Sequence, residues 1–211
     1  MKEEKISPKV IERLTKYLRC LANLAPEDYI SSEELAEKMG YTAAQVRKDL
    51  SNFGEFGVRG KGYNVRALFK DIEKILGVHK KNNVVVIGVG RLGSALLMES
   101  EFTKESFNII GVFDNDPNKI GKELGHGIII KNITELPYYI IKAEEKVDIA
   151  IMTVPKHVAQ ETADFIVKSG VKAILNFAPL KLNLPSDVVV ENIDLYAKLQ
   201  ELNYWKEKIK K

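Results

Sequence analysis

Gly88, Gly90 and Gly93 stand in a Gly-x-Gly-x-x-Gly spacing, and Asp114 follows the last of them by 21 positions (114 − 93). Glycines so spaced suit the binding of a dinucleotide. Gly88 turns the backbone, Gly90 lets a pyrophosphate approach with no Cβ in its way, and Gly93 lets a helix pack closely on a strand. The phosphates would lie on unpaired amides of the turn Gly88-Val89-Gly90-Arg91-Leu92-Gly93, at a helix N-terminus. An acid about 20 residues on accepts hydrogen bonds from the adenosine ribose and repels a 2′-phosphate, so Asp114 favours NAD(H) over NADP(H). The alternative is a glycine turn and a surface acid with no ligand.

The elements that must position these residues are legible on either side. Val84-Val85-Val86-Ile87 reads as a strand buried on both faces and Ser94-Ala95-Leu96-Leu97 as the start of a helix; Asn108–Phe113 is a second strand ending at Asp114. Further on, Gly127–Ile130, Val147–Met152, Val171–Leu175 and Val188–Val190 read as strands. Ile133–Lys142, with an awkward internal Pro137, and Val158–Lys168 read as helices. Alternating strands and helices predict an α/β fold with a mostly parallel, doubly wound, Rossmann-like sheet that takes ligands at its C-terminal strand ends. Thr153-Val154-Pro155 and Asn176-Phe177-Ala178-Pro179 occupy such ends. They are candidates for the nicotinamide side, or simply proline-stiffened turns.

Upstream, Ser7-Pro8 starts an amphipathic helix with Val10, Leu14, Tyr17, Leu18 and Leu21 on its apolar face, expected to run to near Pro26. Ser31-x-x-Glu34 and Thr42-x-x-Gln45 read as capping boxes of two short helices separated by Gly40-Tyr41, the spacing of a helix-turn-helix. Gln45, Arg47, Lys48 and Ser51 then face outward, as a recognition helix requires. The run Gly54–Val65 reads as a β-hairpin wing whose tip carries Arg59 and Lys61, with Tyr63 behind it. Between Ala43 and Arg66 five basic residues stand against Asp49 and Glu55, a local +3 (5 − 2) equal to the formal charge of the whole 211-residue chain. The basic character is therefore concentrated where the motif would meet nucleic acid. A helical interaction module with a solvated basic face is the rival reading.

Leu68, Ile72, Ile75 and Leu76 mark a fourth helix, and the polar joint Val78–Asn83 divides the chain. The expected domains are residues 1–78, a winged-helix module, residues 79–192, the nucleotide fold, and residues 193–211, a helix. That last helix carries Leu195, Leu199, Leu202 and Ile209 beside Tyr196, Tyr204 and Trp205, a stripe too apolar to stand alone in water. A single cysteine, Cys20, excludes an intramolecular disulfide and a cysteine-cluster metal site. No run reaches the 18 or so apolar residues of a membrane span, and Met1–Lys5 is unlike a signal peptide, so the expected compartment is the cytoplasm.

These motifs together resemble the redox-sensing transcriptional repressors of the Rex family. The resemblance rests on Gln45-Val46-Arg47-Lys48-Asp49-Leu50-Ser51, Gly57-Val58-Arg59-Gly60-Lys61-Gly62-Tyr63, Gly-x-Gly-Arg-Leu-Gly-Ser-Ala-Leu, Phe-Asp-x-Asp-Pro, Thr-Val-Pro and Asn-Phe-Ala-Pro, and covers nearly the whole chain. It implies a homodimer that binds palindromic double-stranded operators when NADH is scarce and leaves them when the NADH:NAD ratio rises. It also implies a C-terminal helix exchanged between subunits, and an Arg19–Asp194 pair in contact in the DNA-binding form. Where relatives can carry a tyrosine that takes Asp194 when NADH is bound, this chain has Leu97-Met98-Glu99-Ser100. A glutamate there cannot donate that bond to a carboxylate. Two rivals remain, an NAD-dependent dehydrogenase and a coenzyme A-binding module. The first lacks a substrate domain, and of His79, His126 and His157 only His157 is placed to donate a proton; Asp114 argues against the second.

Overall fold

The protein is described from a computed structural model, which covers residues 6–98, 106–124, 127–142 and 146–209. Glu99, Ser100 and His126, singled out above, lie outside the described residues. The chain divides into two compact units, Met1–Lys80 and Lys81–Lys211.

In the first unit, α1 (Pro8–Leu21) starts with proline in its first turn, although Ser7 makes no side-chain cap bond. It stops short of Pro26 because the chain tightens after Leu21: the Asn23 amide donates to the Cys20 carbonyl and its side chain to the Arg19 carbonyl. A strand too short to signal itself follows, β1 (Tyr29–Ile30). In α2 (Ser32–Met39) both bonds of the Ser31–Glu34 capping box form, and Gly40 ends the helix at φ 68°. Thr42 caps α3 (Ala43–Ser51) by accepting the Gln45 amide, but the return bond is missing, because the Gln45 side chain turns to Asp49 instead.

The hairpin expected over residues 54–65 is reduced to a single antiparallel bridge, in which Val58 and Gly62 exchange amide–carbonyl bonds around a tip that carries Arg59 and Lys61. Positive φ at Gly54 and Gly60 keeps longer strands from forming there. The strand that does form, β2 (Tyr63–Asn64), pairs antiparallel with β1. Gly62 makes this possible: a Cβ on it would lie 2.5 Å from the Ile30 carbonyl oxygen. α4 (Val65–Leu76), capped by Asn64 and ended by Gly77, closes a core of Leu14, Tyr17, Leu35, Val46, Leu50, Leu68 and Ile72.

The second unit is a six-stranded parallel sheet in the order β5-β4-β3-β6-β7-β8. Its strands are β3 (Asn82–Ile87), β4 (Phe107–Asp114), β5 (Ile130–Asn132), β6 (Ile149–Met152), β7 (Ala173–Asn176) and β8 (Val189–Asn192). The order reverses between β3 and β6, the crevice where such sheets bind ligands. α5 (Arg91–Met98) follows β3. α6 (Leu136–Lys142) accommodates Pro137 in its first turn after a 3-10 turn at Ile133–Glu135, where a missing amide hydrogen costs nothing. α6 and α7 (Ala159–Lys168) cover one sheet face with Leu136, Ala159, Ala163 and Ile166. On the other face Leu97 of α5 packs on Val84, Val86, Val112 and Ile151. Toward β8 that face opens as an apolar groove of about 270 Å³ lined by Phe107, Ile109, Ile149, Leu175 and Val189. α8 (Leu195–Ile209) has no buried residue.

Candidate functional site

The glycine turn has the geometry its spacing predicts. β3 is buried, Gly88 turns at φ 93°, and the Thr153 carbonyl lies 3.1 Å from where a Gly88 Cβ would be. A Cβ on Gly93 would sit 2.2 Å from the Gly88 carbonyl oxygen and 2.8 Å from Thr153 Oγ1, so helix and strand meet more closely than any side chain allows. Gly90 is the reverse case. A Cβ there meets nothing within 4 Å, which leaves the flank of the loop open to a phosphate. Thr153 Oγ1 ties the turn down by donating to the Gly88 carbonyl at 2.6 Å. Thr153 and Val154 thus brace the loop, and with Pro155 they line the groove beside it.

Asp114 ends β4 almost completely buried, at 5 % exposure, and accepts the Val89 amide of the glycine turn at 2.7 Å. Its other oxygen accepts the Asp116 amide at 2.9 Å, and the Lys119 ammonium donates to Oδ2 at 2.9 Å. Burial alone would push this carboxyl up. The amides of Val89 and Asp116 and the Lys119 ammonium outweigh it and hold the group below its ordinary range. Asp114, Lys119, Gly88, Gly90, Leu92 and Phe177 line one groove of about 810 Å³, large enough for the adenosine half of a dinucleotide. The Gly88 and Val89 amides, expected to be unpaired, are taken by the Phe113 carbonyl and Asp114. The residues present still fit such a ligand: an open Gly90 flank where α5 begins for anionic oxygens, and a buried carboxylate for a diol.

The Asn176–Pro179 turn splits. Phe177 faces the groove. Asn176 is fully buried and spends its amide inside the protein, donating to the carbonyls of Ala178 and Leu180 and to Asn192 Oδ1. Ala178 is buried and Pro179 exposed. These residues shape the end of β7 rather than presenting groups to a ligand. Arg91 is exposed at the start of α5. His157 lines the groove from an exposed position on a 3-10 turn.

On the first unit, the recognition-helix reading needs one correction. Gln45 does not point outward; it is half-buried and donates to Asp49 Oδ1 at 2.8 Å. Asp49, set above against the five basic residues, is 1 % exposed and is the centre of a polar knot. Arg13 grips it with two bonds, at 2.5 and 2.7 Å, and the Tyr17 hydroxyl donates at 2.9 Å. Desolvation would raise this carboxyl too, but Arg13, Tyr17 and Gln45 together hold it below its ordinary range. Its position three residues after Val46, on the apolar side of α3, was the signal that it is buried.

Arg47 and Lys48 are exposed on α3, as is Ser51, whose hydroxyl donates to the Lys48 carbonyl. Arg47 is engaged with Glu33 at 2.8 Å and Ser32 at 2.7 Å, and its guanidinium holds the Glu33 carboxyl low. A groove of about 670 Å³ runs between these residues and the loop carrying Arg59, Lys61 and Tyr63. Arg59 and Lys61 are exposed; Lys61 lies 5.8 Å over the Tyr29 ring. Tyr63 is half-buried and supports the loop. With Arg47 bound to Glu33 and Arg66 to Glu27, the patch is less basic than a count of charges within residues 43–66 implies. Arg19 is exposed on α1, and Asp194 caps α8 by accepting the Ala197 amide at 2.9 Å.

Comparison with known proteins places both units. Residues 79–180 match the family described as CoA binding domain, and residues 5–51 the family described as putative DNA-binding protein N-terminus. The redox-sensing transcriptional repressor Rex of Desulforamulus reducens is 47% identical over 206 residues, covering 97% of each chain. The redox-sensing transcriptional repressor Rex 1 of Thermotoga maritima is 45% identical over 203 residues, covering 95% of this chain and 96% of its own. Among solved structures, RSP in complex with β-NAD+ and operator DNA superposes with a TM-score of 0.91 at 40% identity, covering 98% of this chain and 94% of its own. RSP in complex with β-NADH gives 0.85 at 39% identity, covering 97% of this chain and 96% of its own.

Proposed function

The chain belongs to the Rex family of redox-sensing transcriptional repressors, and from that premise we propose that its second unit binds NADH and NAD while its first unit reads a palindromic operator. The single observation that carries the reading is the glycine turn. Gly88 and Gly93 are sealed against protein, Gly90 faces open space, and the loop is tied through Val89 to a buried acid that lines the same groove. Solved relatives carry β-NAD+ with operator DNA, and β-NADH, as their bound molecules. Asp114 suits a ribose diol and repels a phosphate there, which favours NAD(H) over coenzyme A in a fold that serves both.

The nucleotide is a ligand here rather than a substrate. Among the described residues His157 is the one histidine that lines the groove, and it stands exposed. On the first unit, Lys48, Arg59 and Lys61 supply phosphate contacts, and Arg47 exchanges Glu33 for DNA. α8 exposes Leu195, Leu199, Leu202, Trp205 and Ile209 at 60% or more. We assign its cover to a second copy of the chain, giving a homodimer in which Arg19 and Asp194 meet in the DNA-binding form. Among the described residues no helix is long and apolar enough to cross a membrane, in keeping with a repressor working in the cytoplasm.

Release requires that the reduced nucleotide favour one arrangement of the dimer, since a ligand with equal affinity for both shifts nothing. Its neutral ring, in place of the charged ring of NAD, favours a closed dimer whose reading helices leave the one-turn spacing of a palindrome. A coupling of about 1 to 3 kcal/mol changes occupancy roughly five- to a hundredfold. Duplexes selected from a random pool for binding to the protein provide the test. NADH is expected to dissociate them and NAD to leave them bound; release by both nucleotides, or by neither, overturns the reading.

A further inference from the structure

The ion pair at the adenosine end of the groove carries a second consequence, which rests on the NADH reading above. A carboxylate offers about four acceptor positions. Asp114 has committed three of them, to the Val89 amide, the Asp116 amide and the Lys119 ammonium. One position is left, and a ribose diol brings two hydroxyls. Asp114 by itself therefore cannot hold both, and the group beside it that can rearrange is Lys119. Its side chain is 35% exposed, lies 3.9 Å from Asp116 Oδ2, and lines the groove. The two amides, by contrast, are fixed in the backbone.

We propose that Lys119 is a specificity-determining residue of the nucleotide site: it completes the ribose contact by donating to a hydroxyl oxygen while Asp114 accepts, and its charge limits the rejection of NADPH. Asp114 and Asp116 contribute two negative charges at the end of β4, and Lys119 cancels one of them. A 2′-phosphate arriving there meets net repulsion, tempered by the Lys119 ammonium. Removing the ammonium takes one hydrogen bond from NADH, but from NADPH it takes an attraction on the extra phosphate as well.

The test compares NADH and NADPH affinities by calorimetry on the full-length protein, for wild type, Lys119→Gln and Lys119→Arg. Lys119→Gln should weaken NADH by about tenfold, the worth of one hydrogen bond to a charged group. It should weaken NADPH by roughly tenfold more than that, so that the preference for NADH grows. Lys119→Arg, which keeps the charge, should hold the wild-type ratio. Equal loss of both nucleotides in Lys119→Gln would reduce the lysine to a structural counterion of Asp114 and overturn the proposal, as would a gain in NADPH binding. Wild-type protein that bound no NADH at all would sink the reading beneath it as well, a result distinct from either of these.

Discussion

Each unit buries one aspartate in a net of donors, and the two nets are built from different material. Asp49 is held entirely by side chains: Arg13 and Tyr17 from α1 and Gln45 from its own helix. Asp114 is held by two backbone amides and one lysine, and it lines a groove. The first arrangement fixes α3 to α1 and fills every acceptor position of its carboxylate. The second fixes the glycine turn to the end of β4 yet keeps an acceptor position and a movable cation beside open space. Burial and a lowered carboxyl are thus shared by a packed knot and a groove-lining acid; what separates them is the open space beside the donors.

The comparison breaks most sharply at Asp49. Asp49→Ala strands Arg13 and should cost the first unit about 3 to 5 kcal/mol, the range for removing one partner of a buried pair. Circular dichroism during urea unfolding checks this, and a loss no larger than that of a surface variant would remove the knot from the account. Next comes Gly93→Ala, whose new methyl collides with the Gly88 carbonyl. It should destabilise the second unit by about 1 to 3 kcal/mol and weaken NADH with it. Gly90→Ala, where the methyl meets nothing, should leave the unfolding free energy within about 0.5 kcal/mol of wild type while lowering NADH affinity. The pair separates packing from ligand approach three residues apart.

Acid sharpens the contrast further. Both aspartates titrate lower folded than unfolded, so their contribution is complete at neutral pH and is lost as pH falls below the ordinary carboxylate value of 3.8 and through the folded one. Wild type should lose stability more steeply than Asp49→Asn as pH falls below about 4, with both followed by urea midpoint. The smallest effect belongs to Lys48→Ala, on exposed α3. It should leave the fold intact and lower the slope of log affinity for operator against log salt by about 1. An unchanged slope would take that face of α3 off the phosphates.

The second unit was far more legible than the first. Val84–Ile87, the three glycines and Asp114 specify strand, turn and acid through local sequence, and each lies where its chemistry places it. Lys119 escaped notice because its role comes from an ion pair five residues from its partner in a turn, where no periodicity operates. In the first unit the capping box at Ser31 formed and the one at Thr42 half-formed, because a buried carboxylate competed for Gln45. The wing was legible only in part. The glycine-punctuated run suggested a hairpin within residues 54–65, of which one bridge forms, but the strand partner of Tyr63–Asn64, Tyr29–Ile30, is two residues long and lies more than thirty positions upstream of Tyr63. Pairing across that separation leaves no local trace.

That the two units speak to one another is the claim on which the whole account turns, and linkage makes it measurable without watching DNA leave. If NADH weakens operator binding, operator must weaken NADH binding by the same factor. NADH titrated calorimetrically into protein alone and into protein saturated with its selected operator should show an affinity lower by roughly five- to a hundredfold in the complex, while NAD changes little. Equal NADH affinities in the two titrations would contradict the coupling, however well each unit bound its own ligand.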